Sequence, residues 1–221
     1  MGTDTINLST KPDGYYENRR EGMLKYIPGS ARTTLEFGCA QGGFSALIRE
    51  KLGAETWAVE LDAQAAAEAS QRLDRVIHRD AAQALDEIPD RYFDCIIFLD
   101  ILEHMVDPYS LLRHVSRKLT GDGVIVASIP NARYYRNYIE FAIKGNWDYT
   151  EAGTLDKTHL RFFTYNSICK MFEQLGFDIL TLEGINPTRN RKLRFVNLLF
   201  CNALADLKYL QFVVVARPVT P

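Results

Sequence analysis

The 221-residue sequence predicts an α/β protein built on a doubly wound, mostly parallel sheet. Three observations carry that prediction. Strand-like and helix-like segments alternate from about Thr33, "FDCIIFLD" is apolar almost without a break, and the small-residue stretch "LEFGCAQGG" separates the first strand pattern from the first helix pattern. An unbroken apolar run suits a strand covered on both faces, the environment that crossover helices create.

The elements follow in order. "TTLEFG" is short and β-prone, and "FSALIREKLG" then sets Phe44, Leu47, Ile48 and Leu52 on one helical face and stops at Gly53. "ETWAVEL" reads as the second strand, the alanine-rich "AQAAAEASQRL" as a helix, "RVIHRD" as a third strand and "FDCIIFLD" as the fourth. Asp107 and Pro108 supply an N-cap and a proline at the first helical position. Leu111, Leu112, Val115 and Leu119 stripe that helix until "GDG" is expected to stop it, and "VIVASIP" is the fifth strand. Between Asn131 and Phe163 the periodicity weakens and aromatics crowd in. A helix bearing Ile168, Met171, Phe172 and Leu175 ends at Gly176, the strand "FDILTLE" follows, a further helix is expected in "KLRFVNLLFCNALADL", and "LQFVVVARP" closes the chain.

Bulk properties bound the function. The hydrophobic share of 47% is ordinary for one sizeable globular domain, and the formal charge of −2 gives little support to nucleic-acid binding. The four cysteines share no CxxC or zinc-type spacing, and Cys39 and Cys95 lie in or beside apolar runs, as expected of reduced, buried thiols. "MGTDTINLST" lacks the apolar core of a signal peptide, and "DCIIFLDIL" and "FVVVA" are too short to span a bilayer. A single soluble, cytoplasmic domain over 1–221 is therefore expected, with oligomeric state left open.

Glu36, Glu60, Asp80 and Asp100 all fall at strand ends, the rim where ligands bind in such sheets. The turn between Gly38 and Gly43 has two readings. As Gly38-x-Ala40-x-x-Gly43 it mimics a dinucleotide fingerprint, with Glu60 on the ribose, which would make the protein an NAD-dependent oxidoreductase. As Glu36-x-Gly38-x-Ala40-x-Gly42 it resembles motif I of the class I S-adenosylmethionine (SAM) methyltransferases. A pyrophosphate beside Glu36 would meet like charge, whereas a sulfonium and an ammonium would meet an opposite one.

The wider chain, from Tyr15 to about Val215, resembles the methyltransferases related to ubiquinone-biosynthesis O-methyltransferases, and especially bacterial relatives linked to cell-surface polysaccharide and glycosyl modification. The residues that carry this are "YYENRREGML", "LEFGCAQGG", "WAVELD", Arg79-Asp80, "FDCIIFLDILEHMVDP", "SIPNARYY" and "LDKTHLRFFTYNSICKMFEQLGF". The resemblance implies the Rossmann-like methyltransferase fold, with seven strands of which the last is antiparallel, and SAM as cofactor. It sets Glu36 and the turn of Gly38, Cys39, Ala40 and Gly42 near the methionine moiety, Glu60 and Leu61 at the ribose, and Asp80 and Ala81 near the adenine. Asp100 and Ile101 complete the cofactor set. Residues 1–32 are implied to cap the cofactor, with Arg19 or Arg20 near its carboxylate, and 132–164 to form an inserted lid over the acceptor. Ala40 replaces the commoner glycine and is small enough for binding to survive.

"FLDILEHMVDP" then gathers Asp100, Glu103 and His104 within five positions. In one reading His104 is a general base oriented by a carboxylate, because a hydroxyl acceptor must lose a proton. In a second, Asp100, Glu103, His104 and the distant His159 ligate a divalent metal. Acid-x-x-Glu-His with a remote histidine is similar to the metal-dependent enzymes that methylate the 2'-hydroxyl at small-RNA 3' ends, although the first acid there is commonly Glu. In a third the groups only shape the loop. His104, Glu103 and His159 are the catalytic candidates.

Tyr134, Tyr135, Tyr138, Phe141, Trp147 and Tyr149 suit stacking on a sugar ring or, equally, a small satellite core. Arg133 and Arg161 fit an acidic acceptor or structural ion pairs. "TRNRKLR" reads as a solvated helix entrance or as a dock for a nucleotide-sugar phosphate or lipid-linked carrier. His78 and His114 receive no role. The expected activity is methyl transfer to a hydroxyl of a small molecule or glycan, against the oxidoreductase and a SAM-binding module without turnover.

Overall fold

The computed structural model describes residues 21–219. Arg19, Arg20, Tyr16 and most of the expected N-terminal cap lie outside the described residues. The strands are β1 (Thr33–Phe37), β2 (Glu55–Glu60), β3 (Arg75–His78), β4 (Phe93–Leu99), β5 (Leu119–Pro130), β6 (Phe177–Pro187) and β7 (Tyr209–Pro218). They form one seven-stranded sheet in the order β3-β2-β1-β4-β5-β7-β6. β1 to β5 pair in parallel, and β7 runs antiparallel to both β5 and β6. β6 therefore points the same way as β1 to β5.

Alternation along the strands feeds two core layers. Leu35, Phe37, Val59, Phe98, Ile125, Ala127 and Phe212 project to one face, where helices α3 (Pro108–Val115) and α5 (Tyr165–Gln174) contribute Leu112, Val115, Ile168 and Phe172. Cys95, Ile97, Leu99, Val126 and Val213 project to the other, where α1 (Gly43–Leu52) contributes Phe44 and Ile48. α2 (Ala63–Ala69) packs Ala69 against Cys39 and Ala58. Each fully buried Leu, Ile or Phe contributes about 1.5–3 kcal/mol of transfer free energy. Burial pushes the Cys95 thiol pKa up, as expected of an inert core cysteine.

The helix ends obey local chemistry. Asp107 Oδ1 accepts from Ser110 N at 3.0 Å with Pro108 at the start of α3, and Thr164 and Ser167 form a reciprocal capping box on α5. Gly53 at φ 65° and Gly176 at φ 76° end α1 and the α5 turn in the left-handed region.

Three expectations are corrected. The alanine-rich helix stops at Ala69 rather than running to Leu73, because Leu73 turns back to bury against Cys39. Leu119 does not belong to the α3 stripe: it begins β5, pairing with Phe93, and "GDG" lies inside that strand. The last mixed pair is longer than "FDILTLE" suggests, since β6 continues to Pro187 along β7.

Candidate active site

The carboxyl-end rim gathers the polar residues. Glu36, on β1, is fully buried and accepts from Ser45 Oγ of α1 at 2.6 Å. Glu60 ends β2. Its Oε1 accepts from Leu61 N at 2.9 Å and Asp62 N at 3.0 Å, and its Oε2 accepts from Ala40 N at 2.8 Å. Asp80 Oδ1 accepts from Ala82 N at 2.9 Å, and Leu61 stands exposed beside Glu60.

The turn after β1 is left-handed at every second residue: φ is 69° at Gly38, 48° at Ala40 and 77° at Gly42. Ala40 thus occupies a conformation that glycine adopts at no steric cost, which explains why a glycine is commoner there. At Gly38 a Cβ would lie 2.0 Å from Ile101 Cδ1, so the turn and the β4 exit are in direct contact.

Three N–H groups of this turn are already committed, Gly38 to Val59 O, Ala40 to Glu60 and Gly42 to Cys39 O. A pyrophosphate needs such donors, and the groups at this rim are carboxylates that would repel it. The same set suits a cationic ligand with ribose hydroxyls. The residues present therefore fit SAM.

Asp100, just past β4, takes φ 58°. Its Oδ1 accepts from Gln211 Nε2 of β7 at 2.5 Å and from Ser128 Oγ of β5 at 3.2 Å. Gln211 Oε1 in turn accepts from Asn186 Nδ2 at 2.8 Å. Left-handed backbone at a non-glycine residue costs about 1–2 kcal/mol and persists only where neighbours over-determine it. These bonds hold Asp100 in the sheet's rim.

Glu103 and His104 lie in a short 3-10 turn, Leu102–His104, pinned to the segment before α5: Leu160 N and Arg161 N both donate to Glu103 O, at 2.8 and 3.0 Å. That pinning brings His159 against the turn. The His104 and His159 rings meet edge to face at 4.7 Å, and His159 Nε2 lies 3.9 Å from Glu103 Oε1. Glu103 and His159 are buried, and His104 is partly exposed.

Hydrogen-bond logic then assigns the ring protons. Asp156 Oδ1 accepts from Thr158 Oγ1 at 2.7 Å and from Thr158 N at 2.9 Å. The Thr158 hydroxyl has given its proton to a carboxylate, so it accepts from His104 Nδ1 at 3.1 Å, as does Thr158 O at 3.2 Å. His104 Nδ1 therefore carries a proton. His159 Nδ1 likewise donates to Thr154 O at 3.2 Å, leaving its Nε2 toward Glu103.

The sequence reading singled out His159 and Arg161 in "LDKTHLRFF" and missed Asp156 and Thr158. The Asp-x-Thr spacing of an Asx turn was the available signal. It also over-extended the metal set. Glu103, His104 and His159 bring ligand atoms within 4.8 Å of one another, whereas Asp100 is not part of that group and is directed to Gln211 and Ser128 instead. Arg161 Nη2 donates to Val106 O at 2.5 Å and Arg133 pairs with Asp206 at 3.4 Å, so both arginines hold structure. His78 bonds Leu61 O and His114 bonds Ser110 O.

The aromatic segment is anchored by a buried Asn137–Thr154 pair at 2.6 Å. α4 (Tyr135–Ala142) starts it, and Phe141, Trp147, Phe162 and Tyr149 form a chain of ring contacts, most of them exposed, that reaches His159 through Phe162.

A seven-stranded, mostly parallel sheet carrying a small-residue turn after β1 defines a Rossmann-like class I SAM-dependent methyltransferase fold. Residues 13–182 match the methyltransferase domain family, and the chain belongs to that family. Among curated relatives, a probable S-adenosylmethionine-dependent methyltransferase of Mycobacterium tuberculosis is 31% identical over 102 residues, covering 46% of this chain and 37% of that protein. The ubiquinone biosynthesis O-methyltransferase of Aeromonas salmonicida is 28% identical over 108 residues, 48% of this chain and 44% of that protein. The chain thus matches less than half the length of these relatives. Among solved structures, a SAM-dependent methyltransferase from Archaeoglobus fulgidus superposes with a TM-score of 0.70 at 22% identity, covering 90% of this chain and 93% of that one. The [4+2]-cyclase SpnF superposes at 0.64 with 17% identity, covering 92% and 81%. The fold alone therefore does not specify methyl transfer.

Proposed function

We propose that this protein is a SAM-dependent methyltransferase that acts on a hydroxyl of a small molecule or glycan, with His104 as the base that receives the hydroxyl proton. The observation that carries the reading is the chain Asp156–Thr158–His104. It places a proton on His104 Nδ1, the tautomer that a base acting through Nε2 requires. When bound, SAM supplies a methyl carbon made electrophilic by its sulfonium. Glu36, Glu60, Asp80 and Asp100 complement its cationic and hydroxylic groups, with Gly38, Cys39, Ala40, Gly42, Leu61, Ala81 and Ile101 shaping the crevice. Thr158 and Asp156 stabilise the positive charge that His104 gains, and Glu103 with His159 braces the turn that carries it. The segment 132–164 acts as a lid whose aromatic rings stack on a sugar or other ring acceptor. Residues 1–221 then work as one domain. The glycan reading, in a cell-surface polysaccharide pathway, draws on these rings and on the resemblance above.

Thermal denaturation with SAM and with NAD tests the cofactor. SAM at a hundredfold excess over Kd is expected to add about 2.7 kcal/mol of stability, and NAD none. A larger shift with NAD sinks the reading. Release of S-adenosylhomocysteine on a panel of monosaccharide and phenol acceptors separates an enzyme from a module that only binds.

One observation favours a second reading for the proton. Both His104 and His159 donate Nδ1–H to a backbone carbonyl, the arrangement usual for metal-ligating histidines. Under it, Glu103, His104 and His159 hold a divalent cation that acidifies the acceptor hydroxyl. Exhaustive chelation decides between them: turnover within about twofold of the untreated enzyme is expected for the base mechanism, whereas a 10²-fold loss restored by added Mg²⁺ or Zn²⁺ establishes the metal.

A further inference from the structure

Because β6 points with β1 to β5 and β7 returns, the connection 188–208 leaves and re-enters at the rim that carries the candidate active site. Asn131, just past β5, confirms the placement by donating from Nδ2 to both Asp206 O and Tyr209 O at 2.9 Å. Within that connection lies α6 (Arg191–Leu199). Phe195, Leu198, Leu199 and Phe200 stand 58–67% exposed there. Four large apolar side chains in six residues are far more than a helix needs to leave in water.

The charge around them is opposite to that of the whole chain. Arg189, Arg191, Lys192, Arg194 and Lys208 stand against the single acid Asp206 within 189–208, a local excess of four positive charges in a chain of net charge −2. Asp206 itself pairs with Arg133. Cations ahead of and within a short helix that exposes phenylalanine and leucine have the composition of a segment suited to the headgroup layer of a bilayer. A nine-residue helix is about 14 Å long, too short to cross. None of the helices among the described residues is long and apolar enough to do so.

We propose that α6 and the basic run ahead of it dock the mouth of the site on an anionic phospholipid surface. The acceptor is then amphiphilic or lipid-linked and enters from the headgroup layer. Exposed Phe141 and Ile143, in the segment that leaves β5 at the same rim, extend the apolar contact. An RNA phosphate backbone would match the cations but gives Leu198 and Leu199 nothing to bury against. The proposal rests on the reading above for the position of the acceptor mouth, but docking does not require methyl transfer.

The test is co-sedimentation of the full chain with vesicles of phosphatidylcholine alone and of an equimolar phosphatidylcholine–phosphatidylglycerol mixture. Each cation near an anionic surface strengthens partition by about fivefold. Association at least tenfold stronger with the anionic vesicles is expected, lost in ~1 M salt where the screening length is about 3 Å. The triple change Phe195→Ser, Leu198→Ser, Leu199→Ser is expected to abolish it. The pair Arg191→Glu, Lys192→Glu, which replaces charged residues and no apolar one, is expected to weaken it at least tenfold with an unchanged melting temperature, and decides the matter should the triple variant melt early. Three results overturn the proposal: equal or absent association with both vesicles, tighter binding to a single-stranded RNA than to the anionic vesicles, or a dimer in light scattering that the triple change dissociates. Loss of SAM stabilisation with vesicle binding intact counts against the cofactor reading only.

Discussion

Replacing His104 by alanine is expected to lower turnover on a hydroxyl acceptor by ~10²–10⁴-fold, the range that a positioned base contributes. SAM affinity is expected to stay within about twofold, because the imidazole is directed to Thr158 and His159 and not to the turn at Gly38. In steady-state terms the loss falls in kcat, as it does when an interaction made only in the transition state is removed. Thr158 provides the companion measurement as a positioning residue. Thr158→Val keeps the volume but takes away the hydroxyl that accepts from His104 Nδ1 and donates to Asp156. It is expected to lose about tenfold or more, the scale of an outer-shell partner, and Thr158→Ser to restore most of it. A structural role for Thr158 would show instead as a fall in melting temperature shared by both variants. A His104→Ala enzyme that turns over as fast as the parent removes the base assignment and leaves the cation reading or simple positioning.

The elements most legible in the sequence were those whose signal is local. The cap at Asp107 and the stops at Gly53 and Gly176 need only a few neighbouring residues to be recognised, and all three stand in the structure. The four rim acids were legible because a parallel strand exposes its carboxyl end in a fixed direction. What failed was non-local. Leu119 fits the α3 stripe by spacing, yet pairing with Phe93 across the β4–β5 ladder claims it for a strand. Asp100 fits a ligand set by its distance in sequence from Glu103 and His104, but a left-handed φ at that one residue turns it toward Gln211, 111 positions away, where no periodicity could show it. The Asx turn of Asp156 and Thr158 was local, but its partner His104 lies 54 positions away and was invisible for the same reason. The contact forms only where Leu160 and Arg161 pair onto Glu103.

Gly38→Ala is expected to remove SAM binding and to cost about 2–5 kcal/mol of stability, combining about 1–2 for a left-handed alanine with about 1–3 for overpacking. The overpacking follows from the added Cβ, which would sit 2.0 Å from Ile101 Cδ1 and 2.8 Å from Cγ1. Ile101 is partly buried and packs on the main core cluster, so moving these atoms gives up packing there. Pushing Ile101 also shifts its neighbour Asp100, whose bonds to Gln211 and Ser128 hold the rim on that side. The two contributions can be separated by a double-mutant cycle. Ile101→Ala removes both clashing atoms, so Gly38→Ala in that background should pay only the backbone part and show a coupling of about 1–3 kcal/mol. Gly29→Ala serves as the control: a Cβ there meets nothing within 4 Å and its φ is not left-handed. It is expected to leave stability and SAM affinity unchanged or slightly improved. A Gly38→Ala protein that melts with the parent and binds SAM with the parent's affinity contradicts the close approach of the β1 turn to the β4 exit, and with it the crevice that the four carboxylates are proposed to line.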